Sequence, residues 1–178
     1  LDTEEAKKPL RDFIEVCHAN HYASVVHTRC GVSATYLALG FEHFFLQLID
    51  DPDMVESLMC KYAEWTARQV PVFAEIGFDV IWTSDDVAGK AGPLISPQMY
   101  AERFWPHVRK ISDAIKATRM KWGFHTDGDI REVLDDLIDL GIDILNPIEP
   151  ACLDIVEMKD KFKGTPKIAG NVDMDDLS

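Results

Sequence analysis

The feature that most constrains the fold is a short passage that occurs twice in nearly the same form. Residues 75–81 read Glu-Ile-Gly-Phe-Asp-Val-Ile, and residues 139–145 read Asp-Leu-Gly-Ile-Asp-Ile-Leu. In each copy an amphipathic helical pattern ends at a glycine, Gly77 or Gly141, the residue that most often ends a helix in the left-handed conformation. An apolar run typical of a buried parallel strand follows each glycine. The chain therefore repeats a helix-to-strand connection.

The distance between the two glycines limits the fold further. They are 64 residues apart, and one more strand candidate lies between them, at residues 120–124. Each strand–helix unit thus takes about 32 residues, close to the ~31 per unit of a (β/α)8 barrel of ~250 residues. The same spacing fits a doubly wound open sheet. The repeat alone predicts the α/β class and leaves both architectures open.

Capping residues predict where several helices begin. Asp51 and Ser96 each stand directly before a proline, an arrangement typical of a helix start. Asp129 and Glu132 have the spacing of a capping box, which predicts a helix start at Asp129. Residues 84–95 are predicted to form a glycine-containing loop. Strands are predicted at residues 21–27, 78–83, 120–124, 142–145 and 167–169.

Composition excludes several classes of protein. The net charge is −13, from 18 basic and 31 acidic residues, and an acidic chain repels nucleic acid phosphates. No apolar run approaches the ~20 residues that cross a bilayer, so no membrane partner is expected. The four cysteines form no CxxC pair and have irregular spacing, which favours a reducing compartment. We therefore expect a cytoplasmic protein that acts on small molecules.

Polar side chains follow four consecutive predicted strands, at the point where each strand ends. They are, in chain order, Ser84, Asp85, Asp86, His125, Asp127, Asp129, Asn146, Glu149, Asn171 and Asp173. The carboxyl ends of parallel strands converge on one rim of a barrel or on one crevice of an open sheet, so we expect these residues to line one site. Some have simpler explanations: Asp129 serves as a helix cap, and residues 171–173 form a turn before the next helix.

His125 is the sharpest single candidate. It ends a predicted strand, and His125-x-Asp127 puts an imidazole and a carboxylate on the same side of an extended chain. This spacing permits joint binding of one metal ion, and it equally permits a hydrogen-bonded His–Asp pair for proton transfer. Glu149 stands between two prolines in a stiff segment, which makes it a further candidate.

With these motifs in place, the chain resembles a known family. Residues from about 77 to 177 resemble the uroporphyrinogen decarboxylase superfamily, which includes the decarboxylase itself and corrinoid and coenzyme M methyltransferases. Residues 31–40 resemble an earlier loop of that family. The motifs that carry the resemblance are Asp85-Asp86, Gly92 to Pro97 with Tyr100 and Pro106, His125-Thr126-Asp127-Gly128, Gly141 to Asn146, Glu149-Pro150, and Gly170 to Asp173. The resemblance implies a (β/α)8 TIM barrel. Family members are longer, so we expect residues 1–178 to be a fragment that forms one partial barrel domain.

One mechanism implied by the resemblance is that of the decarboxylase, which uses no cofactor on a tetrapyrrole substrate. Tyr36 occupies the place of a tyrosine that assists this reaction, and a serine of the family falls near Ser84 or Asp85. The family's N-terminal Arg/Asp motif is absent from this chain. True decarboxylases also lack the His-x-Asp-Gly seen here.

The other implied mechanism is that of the methyltransferases. Their zinc ion binds a thiol through a His-x-Cys motif and a distant cysteine, and a corrinoid protein is the partner. His125 matches the family histidine, whereas Asp127 stands where the cysteine would be. A carboxylate binds zinc but is a harder ligand than sulfur. The third ligand would follow Ser178.

We therefore expect a methyltransferase-type member of the superfamily with zinc bound by His125 and Asp127. The alternatives are the decarboxylase and a barrel that binds a corrinoid or tetrapyrrole without catalysis. The predicted catalytic residues are Tyr36, Asp85, Asp86 and His125. The predicted substrate-binding residues are Ser84, Asn146, Glu149, Asn171 and Asp173.

Overall fold

Helices and strands alternate along the chain in the computed structural model, which describes residues 3–162 and 164–173. The α-helices are α1 (Glu4–Ala19), α2 (Val32–Leu39), α3 (Phe41–Asp50), α4 (Pro52–Ile76), α5 (Pro97–Met99), α6 (Trp105–Lys116), α7 (Leu134–Leu140) and α8 (Ile155–Phe162). A π-helical turn, Tyr100–Phe104, joins α5 to α6, and a 3-10 turn, Arg131–Val133, precedes α7. The strands are β1 (Val25–Thr28), β2 (Val80–Ser84), β3 (Ala88–Gly89), β4 (Gly92–Pro93), β5 (Lys121–His125), β6 (Ile144–Asn146) and β7 (Lys167–Ile168).

The order of the strands decides between the two architectures that the sequence leaves open. The parallel strands form one sheet in the order β1-β2-β5-β6-β7, so each strand is added beside the previous one. A doubly wound sheet reverses its direction at a switch point, and this sheet has no reversal over the described residues. Together with its α/β connections, this order makes the sheet part of a (β/α)8 barrel, as predicted.

The repeated passage makes the same connection at both of its occurrences. Both glycines end their helices in the left-handed conformation, as predicted. The aspartate two positions later then bonds to the beginning of the neighbouring strand. Asp79 Oδ2 accepts a hydrogen bond from Ser24 N at 2.7 Å, and Asp143 Oδ2 accepts one from Trp122 N at 2.9 Å. Each copy of the repeat therefore links its strand to the neighbouring strand by a hydrogen bond, at the end of the barrel opposite the polar residues.

The two faces of the sheet differ in character. Ile81, Trp122, Phe124 and Leu145 belong to the buried core that the sheet shares with its helices. Successive side chains of a strand point to opposite faces, so Ser84, His125 and Asn146 project from the other face. They are half-buried. The polar residues thus lie on the inner face of the partial barrel.

The capping predictions succeed at two helices and fail at the third. Asp51 Oδ1 accepts from Met54 N at 3.1 Å, and Ser96 Oγ accepts from Met99 N at 3.2 Å, as expected of helix caps. The capping box at Asp129 is wrong. Asp129 Oδ1 accepts from Arg131 N at 3.1 Å, and the chain first forms the 3-10 turn, so α7 begins only at Leu134. Asp129 forms a local turn that competes with the α-helical start.

The predicted loop at residues 84–95 contains the antiparallel hairpin β3–β4. The predicted parallel strands are all present, with ends that differ by a few residues. Over the described residues, no single helix is long and apolar enough to cross a membrane. The pair α2 and α3 reaches that length and composition together but is bent by 102°.

Candidate functional site

A row of polar side chains crosses the strand ends of the partial barrel. In the sheet register Ser84 of β2 lies beside His125 of β5, and His125 lies beside Asn146 of β6. His27, near the end of β1, reaches Ser84, with 2.6 Å between His27 Nε2 and Ser84 Oγ. On the other side, His125 Nδ1 lies 2.7 Å from Asn146 Oδ1. Four neighbouring strands therefore supply one continuous row, as their predicted convergence requires.

Two carboxylates face the other nitrogen of His125. His125 Nε2 lies 3.7 Å from Asp86 Oδ1 and 3.8 Å from Asp127 Oδ2. One donor atom from each of the three residues lies within 4.8 Å of those of the other two. The backbone N–H of Asp127 donates to Asp86 Oδ1 at 3.2 Å, which couples the two loops that carry the acids. We call Asp86, His125 and Asp127 the acid–histidine cluster.

The charges around the cluster favour a cation. Partial burial raises the pKa of Asp127 above its usual value, and the negative charges of Asp86 and Glu149 raise it further, while His125 opposes them. Burial is the largest cause of this shift, and the smaller contributions of Asp86 and Glu149 reflect repulsion between neighbouring carboxylates. The ammonium group of Lys90 is near, at 3.9 Å from Glu149 Oε1, but its side chain is largely exposed. A bound cation would relieve this repulsion.

A cavity of about 670 Å³ opens beside the cluster. Five of the predicted site residues line it, namely His125, Asp127, Asn146, Glu149 and Asp173. Glu149 is held by a hydrogen bond that its Oε2 accepts from Gly128 N at 3.1 Å. Asn171 is exposed, and its backbone has the left-handed conformation, with φ 69°. The volume is sufficient for a small organic substrate.

Asp85 lies in a different environment from its neighbour Asp86. Its side chain is fully buried, with 0% exposure, and its carboxylate accepts hydrogen bonds from the backbone N–H of Cys30 and from the backbone N–H and hydroxyl of Ser33. Burial raises the pKa of Asp85, and these donors oppose the rise. The contacts are those of an anchor for the loop between β1 and α2. A catalytic role for Asp85 stays a prediction.

Tyr36 lies on α2 close to this anchor. Its ring packs edge-on against Phe41 and Phe44. Burial raises the pKa of Tyr36 to about 12, and the negative charges of Asp86 and Asp85 add to the effect. The phenol therefore keeps its proton at neutral pH, and it responds to the charge of Asp86, a member of the acid–histidine cluster. Its catalytic role stays a prediction.

Two features of the site depend on contacts between distant parts of the chain. His27 and Ser84 are 57 residues apart in the chain, and only the pairing of β1 with β2 brings them together. The pKa of His27 is lowered by burial and by the positive charges of Arg29 and His125. Lys90 lines the cavity from the hairpin β3–β4, in a segment predicted as loop. His27 ends a predicted strand, which favours a position at the rim, but the sequence does not indicate its contact with Ser84.

Comparisons with known proteins agree with this architecture. A solved structure of a methyltransferase from Methanosarcina mazei superposes with a TM-score of 0.70 at 20% sequence identity, over 85% of this chain and 43% of that chain. At that identity the likeness shows a shared fold, and the present chain spans less than half the length of that protein. No curated protein matches the chain.

A family model gives the more specific result. The model of the uroporphyrinogen decarboxylase (URO-D) family matches residues 32–177, which is most of the chain. The match includes Tyr36, the paired aspartates and the strand ends that carry His125 and Asn146. The chain therefore belongs to the uroporphyrinogen decarboxylase family, a family of enzymes built on the (β/α)8 barrel.

Proposed function

We propose that the chain carries the metal site of a zinc-dependent, methyltransferase-type member of this family. The observation that supports the proposal is the acid–histidine cluster, in which one imidazole nitrogen faces two carboxylates at the end of β5. The resemblance of His125-x-Asp127 to the methyltransferases' His-x-Cys motif supports the same reading. By that resemblance, a corrinoid protein is the proposed partner.

The residues present fit a zinc ion. Zinc accepts imidazole nitrogen and carboxylate oxygen at about 2.0–2.2 Å in tetrahedral sites, which separates two ligand atoms by about 3.4 Å. The distances of 3.7 and 3.8 Å from His125 Nε2 to the two carboxylates need only small side-chain adjustments to reach this value. Asp86 would supply a third ligand within the described residues, in place of the one that the resemblance puts after Ser178. Three protein ligands leave a fourth position for substrate, as in catalytic zinc sites.

The residues around this site have different proposed roles. When bound, zinc would lower the pKa of a protic ligand in its open position, such as a thiol, and so favour its nucleophilic form. His125, Asp86 and Asp127 would hold the ion, and the cavity beside them would seat the substrate. Glu149 and Asn146 line that cavity and are the proposed polar contacts to substrate. Tyr36 keeps its proton and is available as a donor near the cluster.

Zinc titration of the purified full-length chain tests the proposal. Isothermal calorimetry on metal-stripped protein should show one equivalent bound, and His125→Gln should abolish tight binding because the only nitrogen ligand is lost. His43→Gln is the matched control, because His43 is exposed on α3. Equal zinc affinity in wild type and His125→Gln, or no binding by the wild type, would refute the metal site.

The second candidate function is decarboxylation of a tetrapyrrole, which the matched family model itself favours. Tyr36 occupies the position of a tyrosine that the resemblance links to that reaction, the family's serine falls near Ser84 or Asp85, and Ser84 bonds to His27. Turnover of uroporphyrinogen by chelator-treated protein, lost in Tyr36→Phe, would support this candidate over the zinc enzyme. Binding of a tetrapyrrole without turnover would instead support a non-catalytic barrel.

A further inference from the structure

Asn146 connects His125 to Ala169, which directly follows β7. Its Oδ1 lies 2.7 Å from His125 Nδ1, and its Nδ2 donates to the carbonyl oxygen of Ala169 at 2.8 Å. Ala169 is itself held, because its N–H donates to Leu145 O at 3.0 Å. The carboxamide of Asn146 therefore lies between a fixed backbone acceptor and the imidazole.

The fixed acceptor decides which way the carboxamide points. A backbone carbonyl oxygen accepts hydrogen bonds and donates none, so the group facing Ala169 O must be the NH2 of Asn146. The reverse orientation would set two oxygens against each other at 2.8 Å. Oδ1 is consequently the atom that faces His125, and since Oδ1 only accepts, the Nδ1 of His125 must carry a proton.

This bond opposes the pull of the two carboxylates. Asp86 and Asp127 both face Nε2. If these carboxylates were the only neighbours of a neutral His125 ring, its single proton would lie on Nε2, as a donor to them. A proton on Nε2 would block the atom that faces the centre of the cluster. With the proton held on Nδ1, the lone pair of Nε2 is directed toward the carboxylates and is available to a cation.

We propose that Asn146 is a positioning residue, which holds the neutral His125 ring in the Nδ1–H tautomer so that Nε2 can bind a metal ion. The inference rests on the proposed function for its consequence, but the tautomer itself is a property of the metal-free chain. Residues that hydrogen-bond to the free nitrogen of a metal-binding histidine fix the orientation of the ring, and their loss typically costs about 10–100-fold in metal affinity. The proposal gives Asn146 this role in addition to its place in the cavity wall.

Nitrogen-15 NMR of histidine side chains in the full-length, metal-free protein tests the tautomer directly. The His125 signals are assigned by their loss in His125→Gln. At a pH where the ring is neutral, the wild type should show a protonated Nδ1 and an unprotonated Nε2. Asn146→Leu, which has similar size but no acceptor, should shift the proton toward Nε2. Asn20→Leu is the matched control, because Asn20 also donates to a backbone carbonyl, Val16 O at 2.8 Å, at the other end of the domain.

Measurement of the zinc affinity tests the metal site independently of the tautomer of His125. We expect Asn146→Leu to weaken zinc binding by about 10–100-fold, whereas Asn20→Leu should leave the zinc affinity unchanged. A wild-type chain that binds no zinc but shows the Nδ1–H tautomer refutes the metal site and leaves the positioning intact. A proton on Nε2 in the wild type, or identical tautomers in wild type and Asn146→Leu, overturns the inference. The wild-type measurement alone tests the tautomer even if a variant does not fold.

Discussion

Substitution of the adjacent residues Asp85 and Asp86 by alanine should have very different effects on the stability of the protein. The carboxylate of Asp85 is fully buried and accepts from the backbone N–H groups of Cys30 and Ser33, both of which are themselves buried. Asp85→Ala removes the acceptor from both N–H groups, and no water reaches them to replace it. Asp86 is half-buried and accepts one N–H bond, from Asp127 at 3.2 Å.

The magnitude follows from those contacts. A buried donor left without a partner costs about 1–3 kcal/mol, so two such donors cost about 2–6 kcal/mol. Because burial raises the pKa of Asp85, its ionised form already carries a desolvation penalty that the substitution removes. We therefore expect the lower part of the range, about 2–4 kcal/mol. For a chain of this length each kcal/mol lowers Tm by about 2–4 °C, which gives about 4–16 °C.

Thermal unfolding followed by circular dichroism, in the presence of a chelator, measures this difference without any contribution from metal. Asp86→Ala is the control, and we expect it to change the free energy of unfolding by less than about 1 kcal/mol. The same Asp86 variant should lose zinc affinity in a separate titration. A Tm for Asp85→Ala within about 2 °C of wild type, or an equal fall for Asp86→Ala, would refute the assignment of Asp85 as the loop anchor.

Two further predictions concern the hairpin and Tyr36. Gly128→Ala should destabilise the protein by more than the ~1–3 kcal/mol expected from left-handed backbone strain, because the added Cβ would also lie 2.5 Å from Gly89 O. Gly40 has nearly the same φ but lies in open space, so Gly40→Ala is the control for the strain alone. Urea unfolding measures both losses of stability. Equal losses would contradict the close approach. The pKa of Tyr36, raised to about 12, means that the native state retains a proton that the unfolded chain releases near pH 10. Stability should therefore fall between about pH 10 and 12, and less so in Tyr36→Phe; an identical fall in both proteins would contradict the shift.

The strand-helix alternation and the rim could be predicted because they depend on short stretches of sequence. A glycine that ends a helix and an apolar run that follows it are local signals, and both copies of the repeated passage fold as they predict. Residues that directly follow parallel strands must lie at one rim, so His125, Asp127 and Asn146 were expected together and line one cavity.

Tertiary structure alone decided the architecture and the role of each polar atom. The spacing of the repeats fits an open sheet as well as a barrel, and only the unreversed order of the strands distinguishes them. Asp85 and Asp86 are adjacent in sequence, yet the loop after β2 directs one into the core and the other toward His125. Likewise, the contact between His125 and Asn146 depends on the register of β5 with β6. Sequence determines which groups reach the rim, whereas pairing between distant strands determines which atoms meet, because hydrogen bonds and ligand contacts act only over a few ångströms.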